Sequence, residues 1–138
     1  MAIAELQSFL PPLRLVGRRD VLRMRSRPGS VARARRMVDQ MLGPTPTGDA
    51  ARLVVSELVA NAVEHARGRI ELEIRVGATV LIGVRDHSPD MPYVEHDHLL
   101  ADRGRGMRLV EAVSRRWWVD REPDAKVVWC EIGLPTTC

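Results

Sequence analysis

Apolar and polar positions alternate with a period of two from Arg69 to Val76. Ile70, Leu72, Ile74 and Val76 fall on one side, and Glu71, Glu73 and Arg75 on the other. That is the pattern of a strand with one wet face. Gly77-Ala78 turns it into a second strand, Thr79 to Arg85, so the pair forms a hairpin. Upstream, Leu13 to Ser26 holds two short apolar stretches around a Gly17-Arg18-Arg19-Asp20 turn. In the second stretch Leu22, Met24 and Ser26 alternate with Arg23 and Arg25, as in a half-buried strand. Helical spacing takes over after Pro28-Gly29. Ser30 is placed to cap a helix from Val31 to about Leu42, with Val31, Ala34, Val38, Met41 and Leu42 as its apolar stripe. The loop GPTPTG, Gly43 to Gly48, ends it, and Thr47 or Asp49 caps a second helix that runs to about Arg67-Gly68. A third helix is expected from Met107 to Arg116, with Met107, Val110 and Val113 inward. Trp117 to Asp120 and Lys126 to Leu134 make a last hairpin around Glu122-Pro123-Asp124.

The order is strand, strand, helix, helix, strand, strand, helix, strand, strand. It predicts an α+β two-layer sandwich: a mostly antiparallel mixed sheet covered on one face by three helices. Residues 1–12, ending in Pro11-Pro12, read as a tail, and residues 13–138 as one domain. With aromatic residues at only 4%, the core must be built from Leu, Val, Ile and Met. No apolar run is long enough to span a membrane. The N-terminal stretch MAIAELQSFLPPL lacks the charged start of a signal peptide. The two cysteines, Cys130 and Cys138, form neither a disulfide framework nor a zinc site. A reduced, cytoplasmic protein is the expectation. The net charge of +3 is uneven, with residues 1–36 at +7 and the remainder at −4. A basic N-terminal segment suits an acidic partner. Yet twenty Arg stand against a single Lys, as codon bias would produce, and the scarcity of aromatics argues against a stacking nucleic-acid surface.

Three pieces carry candidate chemistry. Glu57 and Asn61 lie one turn apart on the second helix, inside ELVANAVEH, on a polar stripe with no Lys or Arg. A carboxylate there can take a proton, and an amide oxygen is a hard ligand suited to Mg²⁺. Asp86 ends the strand VLIGVRD and opens a loop of about eighteen residues to Arg103, where a carboxylate can accept from an exocyclic amine. Loops that long are usually functional or disordered. Gly104-Arg105-Gly106 then opens the third helix, where free N–H groups suit phosphate and Arg103 and Arg105 add charge. Taken singly, each piece also fits a plainer account: a solvated helix face, an Asp in a turn, a flexible helix entry. His87, His96 and His98 with Glu95 and Asp97 read as a solvated loop rather than a metal site, and His65 has no assigned role.

Together, from about Ser30 to Leu134, these segments resemble the GHKL (Bergerat-fold) ATPase superfamily. They are most similar to its bacterial anti-sigma serine/threonine kinases and their stand-alone actinobacterial relatives. ELVANAVEHA matches the N box, RDHSPDMP occupies the first glycine box, and GRGMRLVEAVSRRW matches the second. The resemblance implies ATP and Mg²⁺ as cofactors, with Glu57 as general base and Asn61 as metal ligand. By the same likeness Asp86 reads adenine, and Arg103, Gly104, Arg105, Gly106 and Met107 meet the phosphates under a lid spanning residues 86–103. It further implies an anti-sigma factor that binds a sigma factor and phosphorylates an antagonist protein, and it suggests a homodimer. The alternative is a non-catalytic module that sequesters a sigma factor or other regulator, with a degenerate ATP site. One departure bears on that choice. Where the first box usually continues in glycines, this chain continues His87-Ser88-Pro89, and glycine's backbone freedom is lost. Neither reading calls for sequence-specific nucleic acid or a membrane.

Overall fold

The computed structural model describes residues 17–89 and 105–134. The chain order is β1 (Arg18–Arg25), α1 (Gly29–Leu42), α2 (Pro46–His65), β2 (Arg69–Val76), β3 (Thr79–Asp86), α3 (Arg105–Val113), β4 (Arg116–Arg121) and β5 (Lys126–Gly133). The strands form one five-stranded sheet in the order β1-β2-β3-β5-β4. Every pairing among them is antiparallel. With three helices over the sheet, this is the expected α+β sandwich.

The alternation read from β2 sets the register of the whole sheet. Leu72 pairs with Val84 and Ile74 with Ile82, and β5 continues the same rows with Val128 and Cys130. All of these are buried beneath the helices. The intervening positions make the outer face. There Arg19 Nε and Nη2 lie 3.0 and 3.1 Å from the two Glu73 oxygens, and Arg23 Nε lies 3.0 Å from Glu71. Arg75 bonds the same Glu73 carboxylate. The outer face also carries Trp129, whose indole covers Gly83, its partner across the strands. Trp118 stacks on Trp129 with ring centroids 6.3 Å apart, and Arg75 and Arg116 lie over the two indoles.

Four boundaries differ from the expectation. Gly17-Arg18-Arg19-Asp20 is not a turn. Arg18, Arg19 and Asp20 belong to β1, paired with Val76, Arg75 and Ile74. Charge on a wet sheet face does not interrupt a strand, and the Arg19–Glu73 pair supports it. Ser30 does not cap α1. It is buried, and its hydroxyl donates to the Arg25 carbonyl at 2.5 Å, fastening the helix start to the end of β1. The cap of α2 is neither Thr47 nor Asp49 but Thr45, whose hydroxyl accepts from the Gly48 N–H at 2.9 Å. Pro46 follows at the first helical position, where its missing N–H costs nothing. Helix α3 stops at Val113 rather than Arg116, because the Arg115 N–H already bonds Glu131 and Arg116 begins β4.

Helix α2 is the centre of the helical layer. It packs against α1, α3 and strands β3 and β5. Contact on several sides explains why Ala51, Val54, Val55, Leu58, Val59 and Ala62 are all buried. None of the described helices is long and apolar enough to cross a membrane.

Candidate functional site

The topology brings Asn61 and Asp86 toward the same end of the sheet, with Glu57 one turn further back on α2. Helix α2 hands the chain to β2 within a few residues, and Glu71 pairs with Arg85. Asp86, the last residue of β3, therefore lies at the end of the sheet where α2 finishes, and Asn61 sits four residues from that finish. Asp86 is on the helix-covered face, in line with Val84 and Ile82. Helix α3 joins β4 at the opposite end, beside Glu131. At 1.5 Å per residue its start lies roughly 13 Å back toward Asp86.

Glu57 and Asn61 are both half-buried on α2, beside the exposed Ala60 and Glu64. Neither residue is sealed in the core or fully exposed, which suits groups that meet a ligand. Met107 is a core residue, 3% exposed and clustered with Val110. What it offers a phosphate is its backbone N–H, in the first turn of α3. Arg105 and Gly106 open the same turn. Arg103, Gly104, most of the expected lid, and the group His96, His98, Glu95 and Asp97 lie outside the described residues.

The detail that sequence reasoning missed is Lys126. It is the first residue of β5, directly opposite Asp86 in the register. Its Nζ lies 2.6 Å from Asp86 Oδ1 and 3.0 Å from the Ser88 carbonyl oxygen. The Ser88 N–H donates to the same Oδ1 at 2.8 Å, closing a turn on the carboxylate. Both charged side chains are almost fully enclosed, at 6% and 5% exposure. Next to them His87 Nδ1 is 2.8 Å from the Asp124 carbonyl oxygen, which ties the start of the loop to the β4–β5 turn. Ser88 is thus fastened through its N–H and C=O to the Asp86 and Lys126 side chains. The signal was present in the sequence, since Lys126 is the chain's single lysine. Its partner was legible only once β3 and β5 were known to pair.

The groups described are a half-buried Asn61 one turn from Glu57, the buried strand-end carboxylate of Asp86 and the N-terminus of α3. The family model for a histidine kinase-like ATPase domain matches residues 24–132. The chain belongs to the histidine kinase-like ATPase domain family. The fold of this ATPase domain is shared with the Acinetobacter baumannii histidine kinase AdeS. The two superpose with a TM-score of 0.50 at 13% identity, over 97% of this chain and 77% of that one. No curated protein matches the sequence. Family membership makes this ATPase domain an ATP-binding one. The hard oxygens of Asn61 and Glu57 fit a Mg²⁺–phosphate unit, and a buried carboxylate fits a purine amine. A separate groove of about 310 Å³ runs between β1 and α1, lined in part by Asp20, Arg33, Arg36 and Gln40, remote from Asp86.

Proposed function

We propose that the chain is an ATP-dependent anti-sigma regulator that transfers phosphate to a serine or threonine of an antagonist protein. The observation that carries this reading is the coincidence of Glu57 and Asn61, half-buried on α2, with Asp86 at the same end of the sheet. In this reading the phosphate goes to an acceptor hydroxyl on a separate protein. Glu57 is placed to accept the proton of that hydroxyl as it attacks. Asn61 would hold Mg²⁺ through its side-chain oxygen, and the first N–H groups of α3 would receive the phosphates. Bound Mg²⁺ supplies charge neutralisation between the phosphates, which phosphoryl transfer requires more than covalent help.

Partner binding falls to the basic surface. Arg25, Arg27, Arg33 and Arg36 are exposed and, among the described residues, make no ion pair. They suit an acidic surface on a sigma factor or on the antagonist.

The test is calorimetric titration with Mg-ATP, followed by transfer of labelled γ-phosphate to a candidate antagonist protein. Saturable ATP binding with a labelled Ser or Thr is the expected result. ATP binding with no transfer to any such partner would remove the kinase activity. Absence of ATP binding altogether would favour a module that works by sequestering its partner, the reading to which Ser88-Pro89 gives some support.

A further inference from the structure

The base-reading end of this site is built from a side chain outside all three motif segments. We infer that Lys126 is a positioning residue that presents Asp86 to adenine and so sets the preference for a 6-amino purine over a 6-oxo purine. The inference rests on the ATP-binding reading above and goes beyond it.

Three observations carry it. Among the described residues, the two hydrogen bonds to the Asp86 side chain, from Lys126 Nζ and from the Ser88 N–H, both end on Oδ1. That fixes the plane of the carboxylate and leaves Oδ2 as the atom to receive a ligand's N–H. Lys126 also bonds the Ser88 carbonyl oxygen, so the same ammonium holds the backbone that follows the strand. Finally, the pair is buried, at 6% and 5% exposure, where loss of one partner strands a charge and a competing donor has little water to replace it. The family's glycines would leave this stretch free to adapt. Here it is fastened before any ligand arrives, which lowers the cost of ordering it on binding.

The chemical consequence is one-sided. An exocyclic amine donates to Oδ2, whereas a carbonyl at the same ring position would bring acceptor against acceptor. Lys126 cannot turn to serve that carbonyl without leaving both Asp86 and Ser88. A site built to receive a donor rejects the analogue that lacks it.

The experiment is calorimetric titration of the wild type, Lys126→Met and Lys126→Arg with Mg-ATP and Mg-ITP. ITP replaces the 6-amine by a carbonyl. The wild type should prefer ATP by about tenfold or more, as a hydrogen bond to a charged acceptor predicts. In Lys126→Met the ratio should fall to within about twofold, with the loss falling on ATP, while Lys126→Arg, which keeps the cation, should restore most of it. Thermal melts establish that each variant is folded. If Lys126→Met is not, Lys126→Gln, which keeps a donor without the charge, replaces it. A residue acting only on the fold would lower both affinities together, so an unchanged ratio in a folded, ATP-binding Lys126→Met would overturn the inference alone. A wild type that binds ITP as well as ATP would overturn it too. A wild type that binds neither nucleotide would overturn it together with the reading it rests on.

Discussion

Gly83 lies directly beneath the indole of Trp129. A Cβ built on Gly83 would stand 2.6 Å from the ring, closer than any real contact allows. The pair faces outward from the sheet, where the ring is stacked on Trp118 and lies against Arg75. Gly83→Ala must displace the indole and disturb that row. Overpacking of this kind costs about 1–3 kcal/mol, more than the strand gains from losing a glycine. Urea unfolding should give a lower midpoint for Gly83→Ala, and Gly83→Ala/Trp129→Leu should recover part of the loss. A Gly83→Ala protein as stable as the wild type would mean that the indole yields freely.

Glu73 sits between Arg19 and Arg75. Burial pushes its carboxyl up, but hydrogen bonds and charge from both guanidiniums outweigh it and hold the group below its ordinary value of 4.5. Below pH 4.5 the unfolded chain therefore takes up this proton before the folded one does. The stabilisation is fully present above that pH and is lost as pH falls through the lower folded value. The difference in unfolding free energy between wild type and Glu73→Gln should be constant from pH 7 to 5 and shrink in acid. Other carboxylates cancel in the comparison. A difference that stays constant to pH 3 would show that the cluster adds nothing.

The caps carry a third expectation. Thr45 accepts from the Gly48 N–H at the start of α2, the helix against which α1, α3 and the sheet all pack. Thr45→Ala should cost about 1 kcal/mol, as N-cap loss generally does. Thr47, buried within the first turn, makes no cap. Thr45→Ser, which keeps the hydroxyl, should be close to neutral in the same denaturation assay. Equal losses for Ala and Ser would place the effect in packing rather than in the hydrogen bond.

The fold was legible wherever burial writes a period into the chain. The alternation of Ile70, Leu72 and Ile74 against Glu71, Glu73 and Arg75 gave both the strand and its covered face. Boundaries were less legible because several residue types can end an element. Thr45, Thr47 and Asp49 are all competent caps, and the choice fell to the residue followed by Pro46. Arg18, Arg19 and Asp20 looked like a turn because charge was read as punctuation, whereas their partners Arg75 and Glu73 lie more than fifty residues away. The same holds at the site. Glu57, Asn61 and Asp86 stand out locally, by residue type at a helical turn or a strand end. Lys126 gains its meaning only from the β3–β5 register.

Under the proposed kinase reading Glu57 and Asn61 give the sharpest separation of roles, because they share a helix face but would serve different atoms. As the base that accepts the substrate hydroxyl's proton, Glu57 would act only when an acceptor protein is attacking. General-base removal typically lowers a rate by roughly a hundred- to ten-thousand-fold. Glu57→Ala should therefore keep Mg-ATP and partner binding while transfer falls within that range. Asn61, as the proposed Mg²⁺ ligand, would act one step earlier. Asn61→Ala should weaken Mg-ATP binding itself, and raising the magnesium concentration should recover part of the loss, which it should not do for Glu57→Ala. Neither side chain belongs to the hydrophobic core, so both variants should melt close to the wild type. The measurements are calorimetry over a magnesium series and labelled transfer to the antagonist. Wild-type transfer by Glu57→Ala would remove the carboxylate from the chemistry, and the polar stripe on α2 would then be a binding surface alone. An Asn61→Ala whose ATP affinity is unchanged at low magnesium would move the metal to other ligands.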